Sequence, residues 1–205
     1  MSDHFIHQET YVHASGKQYR VVVEHDDWTG APDKEYPDSH GELVELLFDP
    51  TDDDAVQDHL DRWVSDDDHL EQRARYALMR PLGQYRCRYR GEVRYYDVWE
   101  TRKKAIAEWG VPPEKAGEVV DKDYAYLQGW YDDDWHWCSV TVYALDEDGE
   151  MLDDYSNSCS GFESTIIEPK NRAQLVEVIE DSIHSIEHEI RRAMHLGQLE
   201  LPLFA

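Results

Sequence analysis

In the stretch HDDWTGAPDKEYPDSH, His25, Asp26, Asp27, Asp38 and His40 are candidate ligands for a metal ion. If Gly30, Pro32 and Pro37 fold that stretch back on itself, its imidazoles and carboxylates could surround Mg, Mn or Zn, with His136 or Glu163 joining them. A metal held by His25, Asp27, Asp38 and His40 would activate water for phosphoester or nucleic-acid hydrolysis, the enzymatic alternative for this chain. The spacing matches no established ligand signature, and acidic loops commonly need no ion. A second pattern, HSIEH at 184–188, has the H-x-x-E-H order in which two histidines one helical turn apart bind zinc and Glu187 acts as base. Only seventeen residues follow His188, too few for the distant downstream ligand of such enzymes, so a solvated helix stripe is the better account. No phosphate-binding glycine loop occurs, and GFESTIIE lacks the G-x-S-x-G nucleophile turn. These patterns weigh against catalysis and against a required cofactor.

The charge points toward partners of one sign. Forty-five acidic residues against 20 basic ones give a net charge of -25, which opposes direct, non-specific binding to phosphate backbones. Residues 1–72 and 123–205 carry net charges of -16 and -14, whereas 73–122 carry +5, so an acidic chain has a basic middle. Three readings fit the acidity: a solvated surface, salt adaptation, and imitation of nucleic acid, in which carboxylates stand in for phosphates in a basic groove. The basic middle contains QYRCRYRGEVRYY, an Arg/Tyr mixture of the kind found on single-strand nucleic-acid surfaces. Internal pairing of those arginines with acids is the preferred reading, given the overall repulsion.

A chain of 205 residues can bury a core without staples, and Cys87, Cys138 and Cys159 form no C-x-x-C pair and no even framework. The first twenty residues contain no apolar run, and no stretch approaches a membrane span, so a reducing cytoplasm is the expected location.

The elements that must position these residues can be read along the chain. ETYVHASGKQYRVVVEHDD predicts a hairpin turning at Ser15, Gly16 and Lys17, and WTGAPDKEYPDSHGE an irregular surface loop. Leu43 to Phe48 fit a short strand or a helical turn. Thr51 with Asp54, and Ser65 with Asp68, match the capping pattern, so the triplets in TDDDAV and SDDDHL read as helix starts. In QYRCRYRG, alternation puts Tyr85, Cys87 and Tyr89 on one strand face and Arg86, Arg88 and Arg90 on the other, before Gly91 turns the chain. Asp97 and Glu100 begin a helix carrying Trp99, Ile106 and Trp109, which Gly110 and Pro112-Pro113 end. Another starts near Pro113, with Val120, Tyr124, Leu127 and Tyr131 toward the core. Trp135 to Leu145 alternates as a strand, DEDGE turns, and Met151 to Ser158 returns beside it. Asn171 can cap a long C-terminal helix with Leu175, Ile179, Ile183, Ile186, Ile190 and Met194 as its seam. The sum is one α+β domain of antiparallel hairpins and helices over residues 1–197, followed by a tail at 198–205.

The third triplet is different. Asp132, Asp133 and Asp134 fall at the end of the helix that starts near Pro113, where the macrodipole is negative and each carboxylate is unfavourable by about 0.3–1 kcal/mol. A turn explains one of them. Something cationic would explain the others: Arg86, Arg88 or Arg90, a divalent metal, or a basic partner.

HDDWTGAPDKEYPDSHGE, RYYDVWETRKKAIAEWG, DYAYLQGWYDDDWHWCSV and GFES, in this order, resemble a group of small uncharacterised proteins encoded by bacteriophages and prophages, over about residues 19 to 165. The resemblance brings no activity. It implies a mobile-element setting, in which acidic viral proteins that mimic DNA and block host defence or DNA-binding enzymes are a familiar strategy. The last residues, GQLELPLFA, resemble the Q-L-x-L-x-L(F) peptide by which replication and repair proteins dock on the bacterial sliding clamp. In such a peptide the Gln198 amide orients the contact, Leu199 accompanies it, and Leu201, Leu203 and Phe204 fill an apolar cleft. Pro202 restricts the tail, and a chain end after a helix stop is accessible. The expectation is a non-enzymatic accessory protein that binds and inhibits a host protein with a basic nucleic-acid-binding surface, through Asp132, Asp133, Asp134 and other acids, tethered to the clamp by its tail.

Overall fold

The computed structural model describes residues 5–44, 52, 54–55, 58, 86–89 and 92–195. The architecture is α+β with antiparallel sheets, as the alternating segments predict. Within the expected 1–197 domain, packing divides the chain into two compact units: Met1–Thr29 with Trp135–Ala205, and Gly30–Asp134.

The first unit is a four-stranded antiparallel sheet in the order β1-β2-β6-β7, where β1 is Phe5–Val12, β2 Gln18–His25, β6 Trp137–Leu145 and β7 Met151–Glu163. Its two tight turns rest on the glycines that the sequence offers. Gly16 (φ 85°) and Gly149 (φ 82°) take the left-handed backbone, which only glycine adopts without steric cost. Asp146 supports the second turn by accepting from the amides of Asp148 and Glu150, each at 2.9 Å. β7 continues past Ser158 to Glu163, opposite Trp137.

A 24-residue helix, Arg172–His195, lies on this sheet. Its Leu175, Ile179, Ile183, Ile186 and Ile190 are buried with Tyr19, Val21, Val23, Val140 and Val142, which recur every second residue along β2 and β6. A period of 3.6 on the helix and of 2 on the strands thus builds one core. Met194, expected in the seam, is exposed. Asn171 ends a 3₁₀ turn (Pro169–Asn171), and its side-chain amide donates to the Thr165 carbonyl at 2.8 Å.

The second unit contains α1 (Pro32–Glu35), β3 (Leu43–Val44), β4 (Arg86–Tyr89), β5 (Glu92–Tyr96), α2 (Val98–Ala107) and α3 (Ala116–Tyr131). The strands pair antiparallel in the order β3-β5-β4, so Leu43 and Val44 form a strand and the RCRY and EVRYY segments a hairpin. Asp97 caps α2 as predicted, accepting from the Glu100 amide at 3.0 Å. Gly110 (φ 67°) closes that helix, and the Val111 amide reaches back to the Ala105 carbonyl at 2.9 Å. The buried side of α2 is Val98, Thr101 and Ala105, while Ile106 is exposed. α3 follows a 3₁₀ turn at Pro113–Lys115, and Val120, Tyr124 and Leu127 face a core shared with Leu43, Tyr96 and Val98, with Tyr126 and Tyr131 against it. The loop expected around residues 28–42 is partly ordered by α1, and Asp33 is buried. This arrangement positions the ends of α3 and its inward face, on which the notable polar groups lie. No helix among the described residues is long and apolar enough to cross a membrane.

Candidate functional site

The end of α3 explains how three adjacent aspartates are held. The Asp132 amide donates to the Gln128 carbonyl at 2.8 Å, the Asp133 amide to Trp130 at 3.3 Å and the Asp134 amide to Gly129 at 2.8 Å. This is a Schellman closure, with Asp133 in the position that glycine usually fills. Its φ of 62° is the one positive value at a non-glycine among the described residues. The backbone geometry therefore accounts for Asp133, whose residue type tolerates the left-handed region. It does not account for its neighbours. All three residues are exposed, and among the described residues their carboxylates form no hydrogen bond or ion pair. They stand at the negative end of the helix beside Trp130 and Tyr131, whose rings meet edge to face at 5.0 Å. The turn presents anionic charge that its own local structure does not neutralise.

On the inward side of α3 a second group is fully engaged. Asp123 Oδ1 lies 2.7 Å from His40 Nδ1, and Oδ2 accepts from the Gly41 amide at 2.7 Å and the Tyr96 hydroxyl at 2.5 Å. Facing a carboxylate, His40 Nδ1 must be the protonated nitrogen, which leaves Nε2 as the ring's other polar atom. The His40 ring stacks on Tyr126 at 5.2 Å with an interplanar angle of 5°. Burial first, and then the Asp123 charge and hydrogen bond, push the Tyr96 phenol far above its ordinary value, so it remains a donor. Gly41 is confined here, because a Cβ would stand 2.5 Å from Tyr96 Cζ and Oη. A carboxylate that orients an imidazole is half of a general-base arrangement. Its other half is not supplied by Thr101, whose hydroxyl donates to the Asp97 carbonyl at 2.7 Å. The chemistry of this node is to lock the loop at 40–41 against β5 and α3.

The proposed metal ligands are distributed over both units: His25 and Asp27 in the first, Asp38 and His40 in the second. His25 packs edge-on against His136, with ring centroids 4.9 Å apart. Asp26 folds its carboxylate into its own loop, accepting from the Trp28 and Thr29 amides and the Thr29 hydroxyl. His40 is held by Asp123, and the Asp38 carbonyl accepts from Trp109 Nε1 at 2.7 Å. Among the described residues, no group of three or more His, Cys, Asp or Glu side chains is arranged to hold a metal ion. In the H-x-x-E-H segment, His184 and His188 are exposed, but Glu187 turns inward and accepts from Lys17 Nζ at 3.0 Å and Tyr19 at 3.3 Å. The Lys17 hydrogen bond chiefly holds Glu187 below the ordinary carboxylate value. Glu187 thus serves to fasten the long helix to the sheet.

No family model, curated protein or solved structure matches the chain. Of the partner-binding residues read from the sequence, Asp132, Asp133 and Asp134 are brought together at one turn. Gln198, Leu199, Leu201, Leu203 and Phe204 lie outside the described residues, as do Arg90 and most of the first two triplets. Asp52 is described and accepts from the amides of Asp54 and Ala55, at 3.0 and 3.3 Å, a helix-start contact made by the aspartate itself. Sequence reasoning missed the grouping of His40, Gly41, Tyr96 and Asp123. Nothing in local spacing marks it, because the partners come from three separate segments.

Proposed function

We propose that this chain is a non-enzymatic, phage-like accessory protein that binds a host nucleic-acid-processing or defence component and inhibits it by occupying its basic groove. The observation that carries this reading is the turn at Asp132, Asp133 and Asp134, three exposed carboxylates held in one helix closure and without an ion-pair partner among the described residues. A cationic surface would relieve their mutual repulsion and that of the helix terminus, which is the complementarity that speeds and orients association. Within the other unit, Glu147, Asp148, Glu150, Asp153 and Asp154 around the β6–β7 turn are exposed acids of the same sign. The net charge of -25 disfavours DNA itself as the ligand. The clamp-like peptide QLELPLF supports a tether at 198–204, which would raise the local concentration of the acidic surface at sites of DNA synthesis.

Two measurements test the reading. Full-length protein is titrated into a purified bacterial sliding clamp, and into clamp-dependent and defence enzymes loaded with fluorescent duplex DNA. Displacement of the duplex, weakening as salt rises, supports the reading; no displacement at moderate salt overturns it. Leu201→Ala with Phe204→Ala abolishes clamp binding if the tail is the tether, and unchanged affinity removes the tether from the proposal. Stoichiometric Mn or Zn in the purified protein, lost in His40→Ala, would replace binding with the hydrolytic reading.

A further inference from the structure

The long helix covers one face of the four-stranded sheet, and strand alternation assigns the side chains of the other. Tyr19, Val21 and Val23 point into the core beneath the helix, so Arg20, Val22 and Glu24 point the opposite way, along a strand whose pairing with β6 is regular from Tyr19 to His25. Cross-strand partners share a face, which puts Phe5 beside Glu24 and Val12 beside Gln18 on this second face, and Met151 beside Leu145. Phe5, Val12 and Met151 are 58%, 61% and 45% exposed, three of the seven large apolar side chains exposed among the described residues. Val22 and Leu145, although buried, belong to neither hydrophobic core. One sheet face thus gathers apolar surface that the two cores leave unused.

The charges on this face are few and balanced. Of the two acids on β1 and β2, Glu9 lies on the helix side and pairs with Arg172 at 2.5 Å, which leaves Glu24 as the acid of these strands on the second face. Arg20 is its counterpart. The two residues flank Val22 symmetrically, neither side chain makes an ion pair among the described residues, and Arg20 Nε is buried without an acceptor. That spacing is self-complementary: a two-fold axis crossing β2 at Val22 sets Arg20 of one copy over Glu24 of the other, and the reverse. Packed sheets stand about 10 Å apart, a gap that an arginine and a glutamate reaching from opposite sides can close.

We propose that the second face of this sheet binds a second copy of the chain, the two sheets stacking antiparallel about Val22 with reciprocal Arg20–Glu24 pairs. The proposal goes beyond the functional reading and does not rest on it. The like net charge of two copies opposes their approach at low salt, and about 0.15 M salt shortens its reach to roughly 8 Å while leaving close pairs in force. Sedimentation velocity of the full-length protein at that ionic strength, across micromolar concentrations, should show a concentration-dependent dimer. Arg20→Glu alone and Glu24→Arg alone each bring like charges together at both ends of the seam, and each should weaken association by roughly tenfold or more. An equimolar mixture of the two variants restores opposite charges at both positions and should recover the dimer. So should the single chain carrying Arg20→Glu with Glu24→Arg, which exchanges the pair, whereas Phe5→Ser with Val12→Ser should weaken it without touching a charge. A wild-type protein that stays monomeric, a dimer indifferent to either charge reversal, or a mixture no more associated than its components would overturn the proposal. Duplex displacement by a strictly monomeric protein would likewise remove this interface and leave the functional reading intact.

Discussion

Replacing Asp133 should make the protein more stable and less able to bind. The residue sits at φ 62° at the close of α3, a conformation that opposes an L side chain by about 1–2 kcal/mol, aspartate less than most. Glycine removes that strain but loses about 0.4–1 kcal/mol through the greater freedom of the unfolded chain. Removing a carboxylate from the negative end of the helix returns a further ~0.3–1 kcal/mol. Asp133→Gly should therefore gain about 1 kcal/mol, a rise in Tm of about 2–4 °C for a chain of this size. Asp133→Asn isolates the electrostatic part, because asparagine tolerates the same backbone; its gain should be the smaller one and should fade at about 1 M salt, where the screening length is near 3 Å. Urea midpoints of the three proteins at low and high salt provide the assay, with duplex displacement measured on the same samples. Destabilisation by either substitution would show that the carboxylate is held by a favourable interaction, and would refute the view that this turn keeps its charges against the preference of the fold.

Asp123→Ala leaves the Tyr96 hydroxyl, the Gly41 amide and His40 Nδ1 without their acceptor, so it should cost about 3–5 kcal/mol; Tyr96→Phe, which leaves Asp123 two donors, should cost about 1–3 kcal/mol, and thermal unfolding of both and of the double variant measures their coupling. The depressed Glu187 contributes stability that is fully present above its ordinary value of 4.5 and is lost as pH falls through its lower folded value. Acid unfolding should accordingly be less steep below that point in Glu187→Gln than in the wild type. Burial first, and then the nearby charges of Asp26 and Glu163, push the Cys138 thiol up to about 12, whereas Cys159 is exposed. Iodoacetamide at pH 8 should label Cys159 in the folded protein and Cys138 only after denaturation, as read by peptide mass spectrometry.

What the sequence disclosed is what short-range physics controls. Gly16, Gly149 and Gly110 lie where the chain turns through the left-handed region, Asp97 caps the helix it precedes, and the isoleucines from 179 to 190 face the sheet because their spacing leaves them no other common side. The exceptions have local causes too. Met194 lies in the last turn of its helix and is exposed, and Ile106 is turned outward because Thr101 and Ala105 define the buried side of α2. The grouping around Asp123 was not legible: its acceptors meet donors 27 to 83 residues away in sequence, and the contact exists only once β5, α3 and the loop at 40–41 are in place. Asp33 was hidden for a related reason. A stretch rich in proline, glycine and charge reads as surface, and only a four-residue helix tucks this one carboxylate inward.

The second unit enters the chain after β2 and leaves it before β6, yet those two strands are paired from Tyr19 and Ala144 to His25 and Cys138. This arrangement divides folding into quick and slow events. The β1–β2 and β6–β7 hairpins can form from neighbouring residues, whereas the central seam must wait until the ends of a long intervening segment meet, at an entropic cost that grows with the logarithm of the free length.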